Sequence, residues 1–432
     1  MTKWKDTEIG KIPEDWTVRC IEDVAEVIGG GTPSTKITKY WNGTIPWITP
    51  KDLSNFNFRY IKTGERSITI NGLENSNARL LPKGTVLLTT RAPIGYLAMA
   101  ENKVTTNQGF HSLVPKKDSC SEFLFYLLKR NVELLKSNSN GTTFGELSGS
   151  RLKKLKLAFP SRTEQYAIAK VLSNLDSKIE LKNQMNATLE AISQSIFKHW
   201  FIDFEFPDEN GKPYKSSGGK MVDSELGKIP EGWKVGKIAD LCTSITNGGT
   251  PKRMVNSYWR GTIPWFKTGE LADKPLLDSE EHITIDGLDN SSCKLWDENT
   301  ILIALYASPT VGRLGLLKIK AAANQACSGL VAKKEIGYQY LFYVLFFKRN
   351  EFNNIAVGAA QQNINQDVVK ETKTIVPQFN AVNNFNTMTK HIFDKRTELS
   401  RENKGLSQIR DSLLPKFMSG KIRVPVEVIK NA

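Results

Sequence analysis

The chain has 432 residues, of which 40% are hydrophobic and 24% are charged, a composition typical of soluble globular proteins with more than one domain. Its net charge of +14 favours a polyanion as partner, although charge alone indicates only non-specific attraction. No apolar run is long enough to span a membrane and the start of the chain is too polar for a signal peptide, so we expect a cytoplasmic protein. The five cysteines form no C-x-x-C pair and the four histidines are scattered, which predicts reduced thiols and no metal site.

The chain is built from two copies of one unit, because its motifs recur about 217 residues apart. Four segments return in the same order: GKIPEDW (10–16) as GKIPEGW (227–233), GGTP (30–33) as GGTP (248–251), YWNGTIPW (40–47) as YWRGTIPW (258–265) and ITINGL (68–73) as ITIDGL (283–288). Such ordered recurrence does not arise by chance. We therefore expect two similar domains related by an internal pseudo-twofold.

Each copy has the residue pattern of a mixed α/β (α+β) domain that is rich in loops. Short β-rich runs lie at 85–90, 156–159, 301–305 and 374–376, and amphipathic helices are predicted over 121–136 and 338–352. The segment between the copies has the Asn, Gly, Pro and Ser content of a flexible, solvated linker. The predicted boundaries are a first domain (1–160), a first long helix (161–203), the linker (204–226), a second domain (227–377), a second long helix (378–419) and a tail (420–432).

Both long helices carry apolar residues at alternating spacings of three and four. The predicted seam comprises Ile168, Leu172, Leu175, Ile179, Leu189, Ile192, Phe385, Ile392, Leu399, Leu406, Ile409 and Leu413. This spacing is typical of coiled coils. Each helix could pack separately on its own domain, or the two could pair antiparallel as a spacer, which their common phase favours. Lys182 and Lys395 interrupt the seam and could either fix its register or extend to the surface.

A basic protein with pseudo-twofold symmetry is typical of readers that contact two half-sites of a DNA duplex. The copies keep their frame residues but differ in the polar residues between them, so we expect an asymmetric, bipartite site. The candidate DNA-contacting residues are Ser34, Thr35, Lys36, Lys39, Arg91, Thr142, Thr143, Lys252, Arg253, Arg260, Tyr306, Gln361, Gln362 and Asn363. For these residues a solvated, capping or turn role is the alternative.

Other recurring residues are interpreted as framework, because residues shared by two readers cannot distinguish their targets. The GGTP segments are expected to form turns in which glycine supplies positive φ and proline fixes the exit. The tryptophans of the YW…GTIPW segments are predicted to be core. The pairs 107–108 and 324–325, both Asn-Gln, are expected to support the backbone or contact phosphate, with base contact as the alternative.

Together these motifs resemble the specificity subunits of type I restriction–modification systems. The resemblance rests on the GGTP turn, the YW…GTIPW loop, the TNQ box (106–108), the TEQYAIA helix entry (163–169) and the segment HWFIDFEFP (199–207), and it extends from residue 12 to about residue 421. The second helix departs from the pattern, because it begins PQFNAV (377–382) without a Glu-Gln pair.

The resemblance implies two target-recognition domains on antiparallel conserved helices and double-stranded DNA as the ligand. It also implies partner subunits: methyltransferase (modification) subunits, expected to be two, and ATP-dependent restriction subunits. This chain would then hold no cofactor, since S-adenosylmethionine, ATP and Mg would be bound by the partners.

The sequence lacks the catalytic motifs of DNA-modifying enzymes. No two prolines are adjacent, which excludes the [DNS]-P-P-[YFW] loop of amino-methyltransferases, and the glycines at 29–31 are not followed by the remainder of a phosphate loop. We therefore expect a non-catalytic recognition subunit. Two other classes stay open: a coiled-coil protein scaffold, whose DNA binding would not survive heparin competition, and a self-contained methyltransferase, which a methyl-donor titration would reveal.

The spacer interpretation predicts the effect of lengthening both helices. Seven residues inserted into each would add about 10 Å at ~1.5 Å per residue, or roughly three base pairs at ~3.4 Å each. We expect the unread gap between the half-sites to grow by this amount while both half-sites stay the same. Sequencing of the modified sites would measure the gap, and a changed half-site with an unchanged gap would contradict the spacer role.

Overall fold

The computed structural model describes residues 3–54, 56–91, 93–139, 145–306, 310–357 and 363–425. The chain divides into two compact units: unit 1 comprises Met1–Leu181 and Asn403–Ala432, and unit 2 comprises Lys182–Glu402. Each unit therefore contains one globular domain and a part of each long helix. None of the helices among the described residues is long and apolar enough to cross a membrane.

Unit 1 is a mixed domain around two small sheets. Its strands are β1 (Trp4–Thr7), β2 (Gly10–Pro13), β3 (Thr17–Cys20), β4 (Ala25–Gly29), β5 (Trp41–Ile48), β6 (Tyr60–Ile61), β7 (Arg66–Ile68), β8 (Val86–Leu88), β9 (Leu97–Ala100), β10 (Thr105–Thr106), β11 (His111–Pro115) and β12 (Lys156–Phe159). Its helices are α1 (Ile21–Val24), α2 (Pro50–Leu53), α3 (Ile70–Glu74), α4 (Ser121–Arg130), α5 (Val132–Ser137), α6 (Gly149–Lys154) and the start of α7 (Arg162–Phe197). The sheet orders are β4-β11-β8-β9-β6 and β10-β5-β7, with the pairs β1-β2 and β12-β3 beside them.

Unit 2 repeats this topology. Its strands are β13 (Met221–Ser224), β14 (Gly227–Pro230), β15 (Lys234–Lys237), β16 (Cys242–Asn247), β17 (Trp259–Phe266), β18 (Lys274–Leu276), β19 (Glu281–Ile283), β20 (Ile301–Ala304), β21 (Leu314–Leu317), β22 (Ala322–Ala323), β23 (Cys327–Ala332) and β24 (Lys373–Val376). Its helices are α8 (Ile285–Asp289), α9 (Gly337–Val357), α10 (Gln366–Glu371) and α11 (Phe379–Met418), which continues into unit 1. The orders β16-β23-β20-β21-β18 and β19-β17-β22 match those of unit 1 strand for strand, which confirms the predicted duplicated α/β fold.

The helix predicted over 121–136 is divided in the structure. α4 ends at Arg130 and α5 begins at Val132. Asn131, between them, donates its side-chain amide to the Leu127 carbonyl at 2.7 Å, so a local hydrogen bond competes with the helical one. The counterpart in unit 2, α9, runs unbroken over Gly337–Val357.

The segment between the copies is more ordered than its composition predicts. β13 pairs antiparallel with β14. The ring of Phe206 stacks on Trp233 at 4.8 Å and on Tyr214 at 4.7 Å between ring centroids. Aromatic packing therefore attaches parts of this segment to the second domain.

In unit 1 an ionic cluster occupies the place of that aromatic packing. Arg423 donates to Asp15 at 2.6 Å and to Glu164 at 2.7 Å, and the Trp16 ring nitrogen donates to Glu164 at 3.1 Å. The guanidinium of Arg423 holds the pKa of Asp15 below its usual value. Glu164 thus anchors the start of α7 to the domain.

The two long helices pair antiparallel within each unit. In unit 2, Lys182 contacts Glu402, Asn186 contacts Ser400 at 3.4 Å, and Arg396 forms a buried ion pair with Glu190. Residue numbers therefore rise on α7 as they fall on α11, as the pairing hypothesis predicts. Lys182 thus bridges the helices, whereas Lys395 pairs with Glu398 on its own helix.

In unit 1 the same antiparallel direction is set by other residues. Arg410 of α11 donates to Asp176 of α7 at 2.7 Å, and Asn403 donates to the Ile179 carbonyl at 3.3 Å. Tyr126 of the domain donates to Asp176 at 2.6 Å, and burial raises the pKa of this tyrosine, which therefore stays protonated as the donor. A buried carboxylate is thus shared by both helices and the domain.

The predicted apolar seam is wrong in part of its register. Ile192 and Ile409 are 43% and 49% exposed, whereas buried contacts near them are made by Ser193 and Phe197 and by Arg410. The other predicted seam residues are buried (Ile168, Leu172, Ile179, Phe385, Leu399) or half-buried (Leu175, Leu189, Ile392, Leu406, Leu413). The predicted seam therefore agrees with the buried face over most of its length and departs from it at Ile192 and Ile409, where the neighbouring residue is the more buried one.

Candidate nucleic-acid interface

Two tryptophans anchor the GGTP segment of unit 1. Trp47 donates its ring N–H to the Gly31 carbonyl at 2.9 Å, and Trp41 donates to the Ser34 carbonyl at 3.1 Å. The two rings meet edge to face at 5.0 Å. Both are buried, so they form the rigid base on which the exposed residues after the GGTP segment are held.

Unit 2 repeats this base. Trp265 donates to the Gly249 carbonyl at 2.9 Å and Trp259 to the Lys252 carbonyl at 3.3 Å. The rings meet edge to face at 5.2 Å. Different loop residues are therefore presented from the same framework in the two copies.

The GGTP glycines are required by close backbone approach rather than by positive φ. A Cβ on Gly30 would collide with the Asn107 carbonyl oxygen, and one on Gly249 would collide with the backbone of Cys293. None of Gly30, Gly31, Gly248 and Gly249 has a positive φ. The turns come directly after the GGTP segments, where the Ile37 N–H bonds the Ser34 carbonyl and the Val255 N–H bonds the Lys252 carbonyl. The prediction that the GGTP residues themselves form the turn is therefore wrong. The threonine that follows binds the recurring glutamine: Thr32 donates to Gln108, and Thr250 to Gln325.

An arginine lies over the tryptophan pair in both units, but it comes from different parts of the chain. In unit 1 it is Arg66 of β7, 3.6 Å from the centroid of the Trp41 ring. In unit 2 it is Arg253 of the loop, 3.9 Å from the Trp259 ring. The strand position of Arg66 is taken in unit 2 by Glu281, which pairs with Arg253. The hydrogen bond from Arg253 lowers the pKa of the Glu281 carboxyl.

Seven of the fourteen candidate DNA-contacting residues are exposed on this framework. They are Ser34, Thr35, Lys36, Lys39, Lys252, Arg253 and Arg260. Arg91 follows β8 and binds both oxygens of Glu146 at 2.7 Å, and Tyr306 follows β20 and is 39% exposed. Asn363 is half-buried. Thr142, Thr143, Gln361 and Gln362 lie outside the described residues.

A bulge in the tryptophan strand supplies a further residue, which sequence reasoning missed. Trp41 and Ile45 of β5 both register with Ile68, so residues 42–44 are looped out, and β17 has the same irregularity between Trp259 and Ile263. The first looped-out residue is Asn42 in unit 1 and Arg260 in unit 2, and both are exposed. A comparison of the two YW…GTIPW segments could have revealed Asn42, since it is the residue inside the motif that changes.

The described residues contain no group of three or more His, Cys, Asp or Glu side chains placed to hold a metal ion. The exposed candidates are mainly hydroxyls, amides and cations, which can donate to phosphate oxygens and to base edges. The fold and this surface define a duplicated recognition protein that carries two similar polar, basic faces.

The comparisons with known proteins identify the family. The family model described as "Type I restriction modification DNA specificity domain" matches residues 13–191 and 230–404. These matches cover most of the chain and coincide with its two copies. The chain therefore belongs to the type I restriction–modification DNA specificity family, as the sequence motifs predict.

Individual relatives agree with this assignment. The type I restriction enzyme MjaIX specificity subunit of Methanocaldococcus jannaschii is 37% identical over 430 residues, which cover 98% of this chain and 97% of that protein. The HindI specificity subunit of Haemophilus influenzae is 26% identical over 360 residues, which cover 70% of this chain and 77% of that protein. The crystal structure of a type I S subunit from M. genitalium shares the fold with a TM-score of 0.57 at 16% identity, and it covers 93% of this chain and 96% of that one.

Proposed function

We propose that this chain is the DNA-recognition subunit of a type I restriction–modification complex and that it reads a bipartite, asymmetric site. The observation that carries this proposal is the matched pair of tryptophan frameworks presenting different exposed residues. The two frameworks are alike, so they can dock in the same way on the DNA backbone of each half-site. The exposed side chains differ, so they select different bases. Each domain therefore reads its own half-site.

The chain acts without catalysis of its own in this proposal. It binds double-stranded DNA in the cytoplasm and positions methyltransferase subunits, two per complex, together with ATP-dependent restriction subunits. S-adenosylmethionine, ATP and Mg are bound by those partners. The exposed apolar residues of the paired helices, Ile192 and Ile409 among them, are consistent with helices that are covered by other subunits in the complex.

Sequencing of modified bases in a host that carries the complex tests the proposal. We expect one methylated motif that consists of two short, unlike sequences separated by a gap of constant length. The matched control is the same host without this chain, in which the motif should be unmodified. Methylation without sequence preference would contradict the proposed function.

Replacement of Arg91 by alanine is expected to relax or weaken recognition of one half-site. Its ion pair with Glu146 is about half exposed, and such pairs contribute about 1 kcal/mol or less to stability. The Arg91 guanidinium can therefore leave Glu146 and bind DNA at little cost. Loss of one base contact should reduce discrimination at that position by about 1–3 kcal/mol. Binding competition between oligonucleotides with single base changes measures the effect.

The control for this prediction is Lys156→Ala. Lys156 also forms an exposed ion pair, with Glu8 at 2.7 Å, but it lies on β12 near the start of α7, outside the candidate surface. We expect Lys156→Ala to keep full discrimination. An Arg91→Ala variant that weakens both half-sites equally would show that Arg91 does not read a base.

A further inference from the structure

The looped-out positions Asn42 and Arg260 differ from the other exposed residues in their backbone. Asn42 has a φ of 61° and Arg260 a φ of 62°, in the left-handed region that residues other than glycine rarely adopt. Asparagine tolerates this region, but a long side chain such as arginine does not favour it. Strain of this kind at an exposed position is typical of functional sites.

The surrounding framework holds the strained residue in the same place in both units. An added Cβ on Gly43 would collide with the Ile68 carbonyl oxygen, and one on Gly261 would collide with the Ile283 carbonyl oxygen. The next residue of the adjoining strand closes the bulge, because Thr69 donates its backbone N–H to the Tyr40 carbonyl at 3.0 Å. Thr284 and Tyr258 make the equivalent bond at 3.0 Å. The backbone is thus constant and only the projecting side chain differs.

Contacts within the chain do not account for either side chain. Among the described residues, no hydrogen bond or ion pair is made by the side chain of Asn42 or of Arg260. The acidic groups of the depression that Arg260 lines are already engaged: Glu281 pairs with Arg253 and Lys267, and Glu280 pairs with Lys267 at 3.2 Å. This open depression has a volume of about 800 Å³ and is also lined by Asn256 and His282.

We propose that Asn42 and Arg260 are equivalent base-reading residues, one for each half-site. The inference rests on the proposed function. An asparagine amide pairs with the N6 and N7 atoms of adenine, whereas an arginine guanidinium pairs with the O6 and N7 atoms of guanine. The half-site read by the first domain therefore contains an A·T pair at the step where the other half-site contains a G·C pair.

The test uses the complete complex with its methyltransferase subunits and compares Arg260→Gly and Arg260→Lys with the parent. Glycine adopts a φ near 62° without strain, so Arg260→Gly should unfold at the same temperature as the parent or higher. It should nevertheless lose discrimination for one G·C pair in one half-site, by about 10- to 100-fold. Lysine keeps the charge but lacks the planar fork, so Arg260→Lys should lose discrimination at the same pair.

The first domain supplies the matched arm of the test. Asn42→Gly should relax one A·T pair in the other half-site and leave the G·C pair unchanged. If Arg260→Lys keeps the parental motif while Arg260→Gly weakens all sequences equally, Arg260 contacts phosphate and the inference is wrong. Unchanged motifs in every variant would also overturn it. Both results differ from failure of the proposed function, in which the parent complex itself would show no sequence preference.

Discussion

Replacement of Phe197 by alanine is expected to lower the free energy of unfolding by about 3–5 kcal/mol, the range found for large aromatic residues removed from a core. Phe197 is 4% exposed and lies at the end of α7 within the core of unit 2. Its ring contacts five others, with centroids at 5.1 Å (Phe201), 5.3 Å (Phe347), 5.6 Å (Tyr340), 5.7 Å (Tyr343) and 5.7 Å (Phe385). Chemical denaturation of the purified chain measures the change.

Ile192→Ala is the control for Phe197→Ala. Ile192 belongs to the apolar seam predicted from the sequence, but it is 43% exposed. We expect its replacement to change the free energy of unfolding by less than about 0.5 kcal/mol. If Ile192→Ala destabilised the chain as much as Phe197→Ala, Ile192 would lie at a buried helix contact instead of at the exposed position that the structure shows.

Replacement of Arg396 by alanine should also lower the free energy of unfolding by about 3–5 kcal/mol, because it leaves a buried carboxylate without its partner. The Arg396 side chain is 6% exposed and the Glu190 side chain 15% exposed. Arg396 also donates to the Asp273 carbonyl at 3.0 Å, so it joins both helices to the domain of unit 2. Thermal and denaturant unfolding of the chain measure the loss.

A double variant separates the ion pair from the packing of its side chains. Glu190→Met combined with Arg396→Met should recover most of the stability lost in Arg396→Ala, because apolar residues of similar volume can replace a buried pair with little loss. Arg401→Ala, on an exposed position of the same helix, should have an effect below about 0.5 kcal/mol. An Arg396→Ala effect as small as that of Arg401→Ala would show that the pair does not stabilise the helices.

The duplication explains why so much of the fold was predictable. The recurring motifs mark backbone positions that tolerate few residues, such as Gly43 and Gly261, where a side chain would meet a neighbouring strand. The β-rich run at 156–159 coincides with β12 (Lys156–Phe159). Its buried residues, Leu157 and Phe159, alternate with less buried ones, and this alternation can be recognised from the sequence alone. Asn131 was not recognised as a break between α4 and α5, since its side-chain hydrogen bond to Leu127 is only one of several conformations open to asparagine.

The candidate surface was predictable in outline. The exposed polar residues after each GGTP segment follow from the pattern. The stacking of Arg253 on Trp259 and its pairing with Glu281 depend on strands that folding brings together. Asn42 was missed because asparagine beside glycine also fits an ordinary turn. The alignment of the two motifs already pairs it with Arg260, but only the structure shows that both residues are looped out with a left-handed backbone.

The sequence by itself determined the duplication, the family and the two long helices, because these depend on local periodicity and on motifs repeated along the chain. Only the tertiary structure decided which face of each helix is buried. Asp176 is buried where the two helices meet, while the apolar Ile192 is exposed. The physical reason is that a polar group can be buried when a partner satisfies it, as Arg410 satisfies Asp176, and such a partner is distant in sequence.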